Sequence, residues 1–352
     1  MDFYDLETSL VATAHDLPTI LLMGLRRGGK SSICKVVFHN MQPLETLYIE
    51  STAKPTYERF NSLIDFAVQE LPGQLDMFEP SYDSSRIFSS VGSLIYVIDS
   101  QDEYLYALQN LQHIIEYAFK INPNINFEVL IHKVDGLSDD FRLDTQRDIM
   151  QRVTDELVDA NLEEVNLSFH LTSIFDHSIY EAFSRIIQKL VPELPVLENL
   201  LDILCQHSGI EKAFLFDVNS KIYLATDSSP VDVETYQVCS DFIDVAIDLD
   251  ILYKDNITQK PDSSGPLALK CTSKLHNGIV LYLAQMIRGL ALVGMIRSEG
   301  VQKMTLVDYN VEIFRQGLER VYAEDHNTTL VGTGTGSATA STPTVSAETP
   351  LH

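Results

Sequence analysis

The sequence predicts an α/β domain built on a mostly parallel sheet with helices on both faces, followed by a smaller α+β domain and a polar tail. Three observations carry this. Short apolar runs alternate with helical periodicities from Pro18 to about Val191, the pattern of a parallel sheet covered on both sides. Pro192 and Pro195 then close the alternation, because a helix stops at so close a pair. Beyond them, paired apolar runs separated by turn residues signal antiparallel strands.

Residues 1–17 form a short polar leader, predicted to be poorly ordered. Thr19–Met23 reads as a buried strand, and Lys30–His39 as a helix with Ile33, Val36 and Val37 on one face. Thr46–Ile49 and Ile64–Val68 read as the next strands. Ser93–Asp99 (SLIYVID) is a continuous apolar run ending in an acid, followed by helical spacing over Tyr104–Phe119. Phe127–His132 (FEVLIH) and Leu167–Thr172 (LSFHLT) are further strands, each followed by a helix, at Asp144–Ala160 and His177–Leu190. This first domain spans 18–191. Ligands of such sheets bind at the carboxyl ends of the strands.

The second domain spans 195–325. Leu197–His207 is a helix, and Ala213–Val218 and Lys221–Thr226 flank a two-residue turn at Asn219–Ser220, which predicts a hairpin. Val233–Leu249 is a long helix with Tyr236, Cys239, Ile243, Ala246 and Ile247 along one face. A Pro/Asp/Ser/Gly loop occupies 254–265. Ala268–Lys274, Ile279–Leu283 and Leu290–Ile296 read as antiparallel strands, and Leu306–Tyr322 as a final amphipathic helix. Residues 326–352 are Thr/Ser/Gly/Ala-rich, with Glu348 the only charge beyond residue 330. Such a composition cannot bury a core and predicts disorder.

Charge excludes several functions. The 352 residues carry 25 Lys and Arg against 50 Asp and Glu, a formal net charge of −25. That opposes a nucleic-acid groove, where cationic side chains neutralise phosphates, and docking on anionic lipid. The chain opens on an acidic Met1–Asp5 rather than a signal peptide, and Asp2 stands where myristoylation needs glycine. Cys34, Cys205, Cys239 and Cys271 include no C-x-x-C pair and no prenylation site. They predict buried thiols in a reducing compartment. The longest apolar region, Ile279–Ile296, is broken by Gln285 and Arg288, which favours two strands over a membrane span. The expectation is no nucleic-acid partner and no direct membrane anchor.

Gly24–Ser31 (GLRRGGKS) has the spacing G-x-x-x-x-G-K-S between an apolar run and a helix. A glycine turn before a helix shares some of these letters; the strand and helix around it favour a phosphate-binding loop. Glycines let successive N–H groups face one concavity, and the helix N-terminus adds its positive end. Lys30 would reach the β- and γ-phosphates, and the Ser31 hydroxyl would ligate Mg²⁺. His132–Lys133–Val134–Asp135 closes a later strand. A carboxylate there accepts both N1–H and the 2-amino group of guanine, a donor pair that adenine lacks. Lys133 would lie along the base, and backbone N–H groups at Ser173–Ile174 would meet the guanine oxygen. Leu71–Pro72–Gly73–Gln74 reads as a turn in which Gln74 orients an attacking water, and Thr52 as a second Mg²⁺ hydroxyl.

With these residues assembled, the sequence resembles the Rag small GTPases of C/D type. The stretches that carry the likeness are LLMGLRRGGKSSICKVVFHNM, ETLYIEST, LPGQLDMF, LIYVIDSQDEY, FEVLIHKVDGLSDD, TSIFDHSIYEAFS and SGIEKAFLFDVNSKIYLATDSSPVD, from about Leu17 to about Glu324. H-K-V-D in place of N-K-x-D is characteristic of that branch. The resemblance implies a P-loop small GTPase domain followed by a roadblock-like dimerisation domain. It implies an obligate heterodimer with an A/B-type Rag GTPase, held on the lysosomal surface by the Ragulator scaffold. The pair recruits target-of-rapamycin complex 1 when amino acids suffice, and a folliculin-type activating protein stimulates otherwise slow GTP hydrolysis. Cytoplasm and lysosomal surface are the implied locations, with the nucleus a further one. Carried over by position, the GTP/GDP contacts are Arg27, Gly28, Gly29, Lys30, Ser31, Ser32, Thr46, Glu50, Thr52, Gln74, His132, Lys133, Asp135, Ser173 and Ile174, with Ser31 and Thr52 on Mg²⁺ and Gln74 catalytic. Three departures stand out. Glu70 replaces the aspartate that holds the Mg²⁺ water shell. The segment from Thr52 to Gln74 is slightly short. Neutral His132 offers one donor and one acceptor where asparagine offers more. The first two motivate a competing expectation, a heterodimer scaffold whose nucleotide does not turn over.

Overall fold

The computed structural model describes residues 17–61, 65–74, 84–254, 269–297 and 304–332. The predicted leader up to residue 16, Ile64, residues 255–265 of the predicted loop, Ala268 and the tail from residue 333 lie outside these residues.

The first sheet has the order β2-β3-β1-β4-β5-β6. Its strands are β1 (Thr19–Gly24), β2 (Thr56–Phe60), β3 (Phe66–Glu70), β4 (Val91–Asp99), β5 (Asn126–His132) and β6 (Leu167–Thr172). β1 runs parallel to β3 and β4, and β4–β5–β6 continue in parallel; β2 alone is antiparallel, to β3. The helices are α1 (Lys30–His39), α2 (Ser84–Ser89), α3 (Leu105–Ile121), α4 (Asp139–Asp159) and α5 (Ser178–Gln188). β4 and β5 are buried nearly throughout because helices cover both faces. Leu21, Tyr96, Ile98, Val129 and Ile131 pack with α3 and α4. Ile20, Leu22, Ile95 and Leu130 face α1 and α5.

Two predicted elements fall differently. Thr46–Ile49 is no strand. Pro43–Tyr48 forms a 3₁₀ helix, with Pro43 in its first turn and the Thr46 hydroxyl donating to Pro43 O at 2.7 Å. The apolar letters of that stretch stay outside: Leu47 and Tyr48 are exposed. The edge strand is instead Thr56–Phe60. The strand predicted over 64–68 ends two residues later, at Glu70. α4 also starts five residues before the predicted Asp144, with Asp139 and Asp140 in its first turn, where carboxylates favour the helix dipole.

The second sheet is fully antiparallel, in the order β8-β7-β11-β10-β9. Its elements are α6 (Leu194–Ser208), β7 (Ile210–Asp217), β8 (Tyr223–Thr226), α7 (Val233–Lys254), β9 (Lys270–Lys274), β10 (Ile279–Gln285), β11 (Leu290–Arg297) and α8 (Met304–Gly332). Leu215, Tyr282 and Leu292 face α6 and α8; Phe214, Phe216 and Val293 face Tyr236, Cys239 and Ile243 of α7. The predicted two-residue turn is longer, since residues 218–222 all lie between β7 and β8. The Asp217 carboxylate accepts from the N–H groups of Asn219 (2.9 Å) and Ser220 (3.0 Å), and Lys221 takes a left-handed φ of 57°. An Asx-type turn thus replaces the tight hairpin turn. α8 continues past Asp325 to Gly332, beyond the predicted start of the tail.

α5 belongs to both halves. Phe183 and Ile187 sit in one continuous core with Val37 and Val68 on one side and Leu197, Leu201 and Leu224 on the other. Ser184 Oγ accepts the Tyr223 N–H at 3.1 Å, and His177 Nε2 lies 3.2 Å from Asp241 of α7. Among the described residues no helix is long and apolar enough to cross a membrane.

Candidate nucleotide site

The sheet places the predicted motifs on one edge. β1 ends at Gly24, whose φ of 134° and contact with Val97 exclude a side chain, since a Cβ there would lie 2.4 Å from Val97 O. The loop turns with Gly28 N–H donating to Leu25 O at 3.3 Å. Arg27 sits in the left-handed region at φ 65° and Gly29 precedes α1 at φ 104°.

Lys30 and Ser31 open α1. The Lys30 ammonium is buried and donates to Gly24 O (2.8 Å) and Leu25 O (2.9 Å). Burial lowers its pKa from the ordinary lysine value, while the Glu70 carboxylate opposes that shift. Glu70, the last residue of β3, is 5% exposed. Its Oε1 accepts from Ser31 Oγ at 2.5 Å and from Thr52 Oγ1 at 3.2 Å, and the two hydroxyls lie 2.7 Å apart. Three oxygens from three separate segments therefore meet at one point. They line a cleft of about 710 Å³ that also takes in Arg27, Gly29, Lys30, Ser32, Thr46, Glu50, Gly73 and Gln74. Gly73 folds directly onto the loop, where a Cβ would come 2.4 Å from Arg26 N. Gln74 is exposed at the rim.

Gly28, His132, Lys133, Asp135, Ser173 and Ile174 do not line that cleft. His132, Lys133, Asp135 and Ser173 gather on the far side of the same loop. Lys133, at φ 63°, donates to Arg27 O (2.8 Å) and pairs with Asp99 Oδ2 (2.5 Å). His132 is 1% exposed. Its Nδ1 lies 3.0 Å from Thr172 Oγ1, and a Cβ on Gly29 would touch its ring at 2.8 Å. Burial, and then the Lys133 charge, push the His132 pKa down to about 4, so the ring is neutral near pH 7. The exposed Asp135 carboxylate accepts from Ser173 Oγ at 2.6 Å. Ile174 packs half-buried against the core.

Sequence reading gave no role to Asp99 or Gln101, and placed Thr172 with Ser173 and Ile174 at the strand end without its contact to His132. Gln101 Nε2 donates to Lys133 O at 2.7 Å, and its N–H donates to Asp99 Oδ1 at 3.0 Å, so Asp99 and Gln101 together hold Lys133. The available signal was the acid ending SLIYVID, one strand over from the histidine.

The Gtr1/RagA G protein conserved region matches residues 19–243. The chain belongs to the Gtr/Rag family of G proteins. Within the Gtr/Rag family it is most like the C/D-type members among the relatives compared. It is 63% identical over 315 residues to GTP-binding protein GTR2 of Saccharomyces cerevisiae, covering 86% of this chain and 92% of that protein. It is 54% identical over 310 residues to human Ras-related GTP-binding protein C, covering 87% and 77%. Identity falls to 28% over 232 residues, 64% of this chain and 75% of the other, for Ras-related GTP-binding protein A of Dictyostelium discoideum. The architecture agrees with a Gtr/Rag chain, a G-protein sheet followed by a separate antiparallel, roadblock-like domain.

Proposed function

We propose that this chain is a guanine-nucleotide switch of the C/D-type Rag class that binds GTP and GDP and hydrolyses GTP slowly. The observation that carries the reading is the meeting of Lys30, Ser31, Thr52 and Glu70 on one side of the Gly24–Ser31 loop with His132, Lys133 and Asp135 on the other. Phosphates would lie in the cleft against the loop N–H groups and Lys30. Asp135 would accept from the guanine edge, and the loop at Ser173–Ile174 would close over the base. The Ser31, Thr52 and Glu70 oxygens form an all-oxygen donor set around a buried carboxylate, which suits Mg²⁺. Bound there, Mg²⁺ would neutralise charge on the phosphate oxygens. Gln74, at the cleft rim, would orient the attacking water. Arg26 and Arg27 belong to the loop itself, so rapid hydrolysis would need a group from an activating protein.

The outer face of α7 supports pairing. Val238 and Val245, seven residues apart, and Leu249 and Leu252 are exposed, an apolar stripe at helical spacing. We place an A/B-type Rag partner there and on the neighbouring edge strand β9. The Ragulator scaffold would hold the pair at the lysosomal surface, and target-of-rapamycin complex 1 and a folliculin-type activating protein would act on it there, with further pools in cytoplasm and nucleus.

The test is to co-express the chain with an A/B-type partner, purify the pair, and identify bound nucleotide by extraction and chromatography. Guanine nucleotide on this subunit, with saturable preference over adenosine phosphates, is the expected result; no such preference overturns the proposal. Ser31→Asn should lower GTP affinity far more than GDP affinity, and equal losses count against Ser31 as a metal ligand. Glu70 favours one competing reading, a scaffold without turnover. Hydrolysis by the pair that Gln74→Leu abolishes would exclude it.

A further inference from the structure

Resting on the nucleotide reading above, we infer that Glu70 is a direct, inner-sphere ligand of the bound metal ion, in place of a water-mediated contact. Three observations support this. The first is position. Glu70 ends β3, pairs with Leu22 of β1 and Thr56 of β2, and is followed by a Leu71 N–H bond to Leu22 O at 3.0 Å. Its backbone is fixed on both sides, so side-chain length alone sets how far the carboxylate reaches.

The second is shape. The oxygens of Glu70, Ser31 and Thr52 form a triangle with edges of 2.5, 2.7 and 3.2 Å. Oxygens on one face of a Mg²⁺ octahedron, each about 2.0–2.1 Å from the ion, stand about 2.9 Å apart. The triangle, held by hydrogen bonds between the three side chains, brackets that spacing, so a metal would find the three oxygens close to the arrangement of one face. An aspartate would stop about 1.5 Å short, one carbon–carbon bond, which is room for a water between carboxylate and metal.

The third is charge. Glu70 is buried, yet among the described residues no cationic nitrogen forms an ion pair with it. The nearby Lys30 ammonium donates to the loop carbonyls of Gly24 and Leu25 instead. A buried carboxylate is costly unless a cation meets it, and the open side of Glu70 is the cleft. Glu70 and Ser31 contact the metal without help from a γ-phosphate, so the ion stays bound in the diphosphate state.

The experiment uses the purified heterodimer carrying GDP, with Mn²⁺ replacing Mg²⁺ on this subunit and the partner's metal site disabled by substitution. Electron paramagnetic resonance line broadening in ¹⁷O-water counts the waters on Mn²⁺. Wild type should show one water fewer than Glu70→Asp, and Glu70→Asp should weaken Mn²⁺ binding about 10-fold. Equal water counts overturn the assignment. Should Glu70→Asp fail to fold, the wild-type count decides. Of roughly six positions, Ser31, Glu70 and one phosphate oxygen leave at most three to water, and a fourth water refutes direct ligation. A subunit that retains no guanine nucleotide overturns the reading of the site, and is seen at the loading step before any water is counted.

Discussion

The six-stranded sheet collects polar side chains along one edge, whereas the five-stranded sheet scatters its own and leaves apolar residues bare on a helix. Glu70, Asp99, His132 and Thr172 are the final residues of β3, β4, β5 and β6. Parallel strands all finish on the same side, so four sequence-distant residues come to one end of the sheet, with β1 and its loop between Glu70 and the other three. In the antiparallel sheet the last residues of successive strands fall on alternate sides, and no such row forms. There the exposed feature, among the described residues, is the α7 stripe of Val238, Val245, Leu249 and Leu252. One sheet gathers polar residues at the carboxyl ends of its strands; the other packs against a helix that carries exposed apolar residues.

Three changes would test this contrast. The largest effect should come from Asp135→Asn. A site built to pair with a donor edge rejects the mismatched base by about 10⁴-fold, so competition between guanosine and adenosine diphosphates should lose most of that discrimination. Retained discrimination would remove Asp135 from base reading. Next, Val245→Asp with Leu249→Asp should weaken heterodimer formation at least about 100-fold, since each buried unpaired charge costs several kcal/mol. Nucleotide preference should not change. Sedimentation of the co-expressed pair reads the first and nucleotide extraction the second; loss of both together would mean that the substitutions unfold the chain.

The last effect concerns acidity. The His132 pKa falls from 6.5 unfolded to about 4 folded. The neutral ring contributes fully above pH 6.5, and its stabilisation is lost as pH drops from 6.5 towards 4, because the unfolded chain takes up the proton first. The loss amounts to about 3 kcal/mol. Urea denaturation at pH 7 and pH 4.5, on wild type and His132→Gln, should show a drop that the substitution removes. An unchanged pH dependence would place the responsible proton elsewhere.

The Gly24–Ser31 loop and the His132–Asp135 stretch stood out as motifs because each is written in consecutive letters, and the fold brings them together through Lys133 and Arg27. The rest of the site did not, because it depends on register. Nothing local says that Asp99 stands beside Lys133, or that Thr172 meets His132; those contacts follow from β4, β5 and β6 ending level. Glu70 was noticed as an unusual letter, but its junction with Ser31 and Thr52 required the chain before β2 to come back over α1. Reading Thr46–Ile49 as a strand obscured that path. A 3₁₀ helix started by Pro43 takes those apolar letters to the surface, where alternation of hydrophobic residues carries no information about a sheet. In the second half, helix existence and most strand positions were readable from periodicity, while the turn after β7 was mistaken because Asp217 closes it with its own side chain.

The seam along α5 has a practical consequence. Phe183 and Ile187 lean on Leu197, Leu201 and Leu224 as much as on Val37 and Val68, so severing the polypeptide near Val191 would strip oily surface from both fragments. Neither piece would then behave as the whole does, and nucleotide measurements made on an isolated front half would describe a damaged scaffold rather than the intact chain.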